Sequence, residues 1–123
     1  STPKPSSAAS DVYKRQATVR AGLAAACRGL QEWREQIARR RSIIRSEPAL
    51  HERDLLRSHY LARAIERSLN QRGIAPAHAH TLAALAVTCF DLAMDRWLEG
   101  PSDLSLEDAL TAVWTDMRGW ING

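Results

Sequence analysis

A chain of 123 residues with 45% hydrophobic residues is long enough for one domain with a modest core. Both lysines, Lys4 and Lys14, lie near the start; from residue 17 onward there are 14 Arg, no Lys and 13 acidic residues, so the net charge there is +1 instead of +3. Because this part of the chain is nearly neutral, the basic pI of the whole sequence does not indicate nucleic-acid binding. The use of arginine without lysine suggests a GC-rich bacterial gene.

The first sixteen residues differ from the rest in origin. Residues 6–16, SSAASDVYKRQ, resemble the in-frame translation of a DNA adapter used to prepare sequencing libraries. We therefore expect residues 1–16 to be a non-native, disordered segment without tertiary contacts, apart from a marginal helix over residues 8–15. The native domain is expected to comprise residues 17–123, with whatever preceded it lost.

Neither membrane insertion nor a disulfide is predicted. No stretch approaches the ~18 uncharged apolar residues of a membrane helix, so the expected location is the cytoplasm. Cys27 and Cys89 stand 62 positions apart without a CxxC motif. They are expected to be buried thiols in a reducing compartment.

The first predicted element is a helix over residues 18–46. Its apolar positions recur at mostly three- or four-residue spacing, and because it is long we expect a break within residues 29–34. Glu47 and Pro48 end it, since a residue before proline is disfavoured in helical conformation.

Two further helices are predicted over residues 49–71 and 76–99. Gly73 suits the left-handed position after the first of them, and Pro76 suits the first turn of the second. The 76–99 helix is apolar on two sides and must be buried on both, and we expect one of these sides to contact a second subunit.

The last predicted helix begins with a capping box at Ser105, whose hydroxyl is expected to accept the Asp108 N–H. Its apolar residues recur at 3-4-3-4 spacing from Leu106 to Ile121, which is typical of a packing seam. No segment shows β-alternation, so the fold class is predicted to be all-α, a bundle of four to five helices.

This order of elements resembles the C-terminal regulatory domain of a TetR-family transcriptional repressor. The resemblance covers about residues 17–121 and depends on the break in IIRSEPALHERDLLR at 43–57, the junction at 73–76 and the helix end DRWLEG at 95–100. It implies a homodimer formed by the last two helices and a pocket for a small, mostly apolar effector in the earlier ones. It also implies DNA binding only through an N-terminal helix-turn-helix domain, which this sequence lacks.

Candidate site residues follow from these faces. The candidate effector-binding residues are Trp33, Ile37, Ile44, His59 and Tyr60, which would form an apolar wall with polar tips. The candidate dimer interface residues are Phe90, Met94, Leu110, Val113, Trp114 and Met117.

The other polar clusters of the sequence are interpreted as ordinary surface groups. His78 and His80 project on different sides of a helix, and His51 and His59 lie two turns apart, so no metal site is predicted. The arginines at 39–41 are interpreted as a solvated face, and Asp91 with Asp95 as part of an ion-pair cluster.

The sequence shows no nucleophile, P-loop or paired-carboxylate motif. Neither an enzyme nor a cofactor is therefore predicted. The function predicted is ligand sensing and homodimerisation in a TetR-like repressor truncated before its DNA-binding domain. The alternative is a helical adaptor or dimerisation module without a small-molecule ligand.

Overall fold

The computed structural model describes residues 5–122, with side chains described for residues 13–120. The elements are α1 (Pro5–Leu30), a 3-10 turn (Gln31–Trp33), α2 (Arg34–Ser46), α3 (Pro48–Gln71), α4 (Pro76–Glu99) and α5 (Leu106–Asn122). The described part of the chain contains no strand, so the all-α prediction is confirmed. The 3-10 turn lies inside the predicted break at residues 29–34.

Helix α1 begins earlier than expected. It starts at Pro5 and runs through the adapter-like residues, so the helix is longer there than the marginal helix expected over residues 8–15. No glycine or further proline interrupts the chain before Gly22, and extending an existing helix costs far less than nucleating one. The segment also contacts the domain, because the Arg118 guanidinium lies 5.6 Å from the centre of the Tyr13 ring. Residues 1–4 lie outside the described residues.

The helix ends follow the predicted local signals. Glu47 is extended, and Pro48 opens α3. Gly73 adopts a φ of +88°, and the Ile74 N–H returns to the Leu69 carbonyl, which satisfies acceptors at the end of α3. At the start of α5 the Asp108 N–H donates to Ser105 Oγ at 3.0 Å.

Helix α4 is the centre of the domain. Helices α3 and α5 pack on it from two sides, α1 contacts both α4 and α5, and α2 packs on α3. The largest fully buried side chains are Trp97, Leu106, Leu110, Cys27 and Cys89. Both apolar sides of α4 therefore contact helices of the same chain.

The predicted dimer interface lies largely inside this core. Leu110, Val113 and Trp114 are at most 5% exposed, and Phe90, Met94 and Met117 are partly buried against the same cluster. The 3-4-3-4 spacing identified a packing face correctly. Its partners, however, are α1 and α4 of the same chain, so this face has little surface left for a second copy.

Helix α4 is more apolar than the sequence prediction allowed. Among the described residues, Pro76–Glu99 is the one helix long and apolar enough by composition to cross a membrane, with a mean hydropathy of 1.2 over 18 residues. Seven of its residues are buried by neighbouring helices. About 33% of the residues in that 18-residue window are buried.

Candidate ligand-binding groove

An open groove runs between α1 and α3, with α4 as its floor. Its volume is about 320 Å³. The α1 wall consists of Thr18, Val19, Gly22, Leu23 and Ala26; the α3 wall of Leu61, Ile65, Ser68, Leu69 and Arg72; and the floor of Ala86, Val87 and Phe90. We call this feature the α1–α3 groove.

Small residues keep the groove open. Helices α1 and α3 both pack on α4 but have little contact with each other, so a space remains above the floor. A Cβ placed on Gly22 would meet no atom within 4 Å, and Ala26 and Ala86 carry only a methyl group. No side chain from either wall fills the space between them. Such a surface suits a small ligand, because apolar grooves of roughly 300–1,000 Å³ are typical ligand sites.

The polar lining residues lie at one end of the groove. Helix α4 returns antiparallel to α3, as the 2.8 Å contact between Glu66 and His80 indicates. Helix α1 runs parallel to α4: Val19 shares a depression with Leu82 and Leu85, and fifteen residues later Arg34 donates to the Trp97 carbonyl. This register places three groove residues, Thr18, Ser68 and Arg72, near the start of α4. The other end is formed by Ala26, Leu61 and Phe90.

The five predicted effector-binding residues do not form one site. Trp33 and Ile37 line a shallow depression of about 280 Å³, whereas Ile44 lines another of about 470 Å³ between α2 and α3. His59 and Tyr60 stack edge to face, with ring centres 6.0 Å apart, and both are exposed on α3. None of the five lines the α1–α3 groove.

The α2–α3 depression is less suited to an apolar ligand. Its lining includes Arg40, Arg53, Asp54 and Arg57 besides three aliphatic side chains. Charged groups in an open depression keep their hydration, so this surface gains little from contact with hydrocarbon. We therefore select the α1–α3 groove as the candidate site.

An ion-pair cluster holds α2 against the other end of α4. Arg41 and Asp95 form its central pair, and Arg45 lies 3.6 Å from both Asp95 and Glu99. Burial, more than the neighbouring Arg45, lowers the pKa of Arg41. The prediction of an ion-pair cluster at Asp95 is confirmed. Arg41 is half-buried in it and so departs from the predicted solvated face, on which Arg39 and Arg40 do lie.

A second carboxylate of α4 faces the same region. Burial and the charge of Asp54 raise the pKa of Asp91, while Arg41 and a hydrogen bond from Ser58 lower it. Three helices thus contribute charged or polar groups to one junction. This junction holds the three helices together, because each acidic group in it has a cation or a hydroxyl near it.

Histidine and cysteine residues show no metal-binding arrangement. Within the described residues no group of three His, Cys, Asp or Glu side chains has the geometry to hold an ion. Cys27 and Cys89 are buried free thiols, as predicted. Burial raises the pKa of Cys27 to about 11, with Glu107 adding to the effect, and it also raises the pKa of Cys89.

Sequence reasoning missed the groove for a specific reason. Hydrophobic periodicity assigned Val19, Leu23, Leu61 and Ile65 to apolar faces, but it does not report how far apart two helices lie. One usable signal was Gly22, which interrupts an apolar face of α1 without ending the helix.

Compared with known proteins, the sequence matches no protein-family model and no curated protein.

Proposed function

We propose that this chain is the ligand-sensing and homodimerisation domain of a bacterial, cytoplasmic TetR-like transcriptional repressor. The observation that carries the proposal is the open apolar α1–α3 groove, which is lined by three helices of a single domain. Buried free thiols are consistent with a reducing compartment. DNA binding is expected only from a separate helix-turn-helix domain.

The groove offers a physical route from binding to regulation. A ligand between α1 and α3 would bury apolar surface that is otherwise exposed to water, and each Å² contributes roughly 25 cal/mol. The ligand would favour whichever spacing of α1 and α3 fits it best, which is a shift between conformations of the free protein. The 3-10 turn at Gln31–Trp33 would pass a movement of α1 on to α2 and to α5, because Gln31 Oε1 accepts the Leu106 N–H at 2.8 Å.

The substitution Gly22→Leu tests this proposal directly. The new side chain would extend into the groove, where a Cβ meets no atom, and leucine favours a helix interior over glycine by about 0.8 kcal/mol. The variant should therefore fold at least as well as the wild type and lose ligand binding. Gly29→Leu is the matched control, because Gly29 also lies on α1 in open space but does not line the groove.

The measurement is a thermal-shift screen with small apolar molecules. A ligand that binds only the folded state raises the melting temperature. We expect stabilisation of the wild type and of Gly29→Leu, and none of Gly22→Leu. If no molecule stabilises the wild type, or if Gly22→Leu responds equally, the groove is not the sensing site.

A second candidate function is a helical adaptor that binds a partner helix and no small molecule. It is favoured by large apolar side chains left exposed on α3, namely Leu55, Leu56 and Tyr60, which are 53–64% exposed.

These three residues of α3 are also where we place the homodimer contact, since the α5 face is buried. Leu56→Asp should convert a dimer to a monomer in light scattering and leave the thermal-shift response intact. An adaptor would instead show no ligand response in either form.

A further inference from the structure

The lining of the α1–α3 groove is asymmetric in charge. Arg72 is its one cation, and no acidic residue belongs to the lining. Arg72 forms none of the ion pairs found among the described residues. Its side chain is exposed, so its charge lies where the groove opens to water.

Hydrogen-bonding groups accompany this charge. Ser68 precedes Arg72 by one helical turn, and side chains four residues apart share a helix face. Thr18 lies on the opposite wall at the same end, where its hydroxyl donates to the Lys14 carbonyl and keeps acceptor capacity only. Ser68 and Arg72 are therefore the side-chain donors of this end.

The helix dipoles do not reverse the preference of this end of the groove for an anionic group. The C-terminus of α3, which attracts cations, and the N-terminus of α4, which attracts anions, meet at this end of the groove. Their effects oppose each other over a short distance. The side-chain charge of Arg72 therefore decides the sign of the preferred ligand group.

We propose that the α1–α3 groove binds an anionic amphiphile, with its carboxylate or similar head at Arg72 and Ser68 and its hydrocarbon tail along Val19, Leu23, Ile65 and Phe90. This inference rests on the proposed ligand-sensing function and adds the ligand class to it. The α3 wall of the groove runs from Leu61 to Arg72, eleven residues later, which is about 16 Å at ~1.5 Å per residue. The tail is therefore of medium length.

Three probes, each with a ten-carbon chain, distinguish the effect of head-group charge on affinity from the effect of tail burial. Decanoate, decanol and decyltrimethylammonium are titrated into the full chain by calorimetry below their micellar concentrations. We expect decanoate to bind about fivefold more tightly than decanol, and the cation to bind most weakly. The preference should shrink at high salt, since exposed charges are screened.

The variant Arg72→Gln tests the residue assignment, with Arg67→Gln as its control. Arg67 lies on α3, five residues before Arg72, is exposed and does not line the groove. The backbone hydrogen bonds at the end of α3 do not use the Arg72 side chain, so folding is preserved, and circular dichroism verifies this. We expect Arg72→Gln to bind decanoate and decanol equally, while Arg67→Gln keeps the wild-type preference.

The outcomes distinguish this inference from the proposed function. Equal binding of all three probes to the wild type, blocked by Gly22→Leu, would overturn the anionic preference and leave the apolar sensing site standing. An anionic preference that Arg72→Gln retains would overturn the assignment to this end of the groove. Binding of none of the probes would overturn the amphiphile inference, and the wider apolar screen then decides the proposed function separately.

Discussion

The substitution Leu110→Ala distinguishes a core side chain from an interface side chain. Leu110 is 1% exposed and belongs to the cluster that includes Cys27, Trp97 and Leu106. Removing three carbon atoms loses about 2.4 kcal/mol of transfer free energy at ~0.8 kcal/mol for each. The cavity left behind raises the expected total to about 3–4 kcal/mol, within the range measured for buried leucines.

Leu92→Ala is the matched control for this substitution. Both leucines lie within helices, so the change in helix propensity cancels between the two variants, but Leu92 is 47% exposed and lies outside both the groove and the proposed dimer contact. Its replacement should change the free energy of unfolding by about 0.5 kcal/mol or less. Urea unfolding followed by circular dichroism measures both values, and the Leu110→Ala melting temperature should fall by roughly 12–16 °C at ~4 °C per kcal/mol.

The refuting result is equally specific. If Leu110 lay at a dimer seam, its replacement would reduce the molar mass in solution. A loss below about 1 kcal/mol, or a reduced molar mass of the variant in light scattering, would contradict its placement in the core of one chain.

Two further predictions test the end of α4 and the buried thiols. Gly100→Ala would place a Cβ 2.6 Å from the Arg96 carbonyl oxygen, so it should cost about 1–3 kcal/mol in urea unfolding, whereas Gly119→Ala, which meets no atom, should be neutral or stabilising. The pKa of Cys27 is raised to about 11, so between the unfolded-state value near 9 and pH 11 the folded state binds more protons than the unfolded state. Stability should therefore fall as pH rises through this window, by up to about 1.4 kcal/mol per pH unit for this thiol. The Cys27→Ala variant should show a shallower decline, and an unchanged slope would contradict the assignment.

Local signals in the sequence were sufficient for the helix boundaries other than the start of α1. Proline at positions 48 and 76, Gly73 and the Ser105 capping box act over a few residues, and each fixes a backbone conformation without help from distant parts of the chain. The break after α1 was predictable for a similar reason, since a single 29-residue helix is unusual in a small domain.

Interhelical relations were less accessible to sequence reasoning. The stripe containing Leu110 and Val113 was correctly identified as a packing face, but periodicity does not specify whether the opposing face belongs to the same chain. Trp33, Ile37 and Ile44 were grouped because they share one predicted helix, yet Ile44 lies seven residues beyond Ile37 on α2 and lines a different depression. The groove depends on the distance between α1 and α3, which no local pattern encodes.

The order in which the helices pack has a consequence for folding kinetics. Helices α3, α4 and α5 are consecutive in sequence and pair as antiparallel neighbours, so their contacts close short loops. Helix α1 packs on α4 and α5 only after the intervening α2 and α3 have been bridged. We expect the α3–α5 unit to form first, in microseconds to milliseconds, and α1 to dock afterwards. The wall of the groove that carries Gly22 is then the last element to arrive, and it should exchange its amide hydrogens before α4 does.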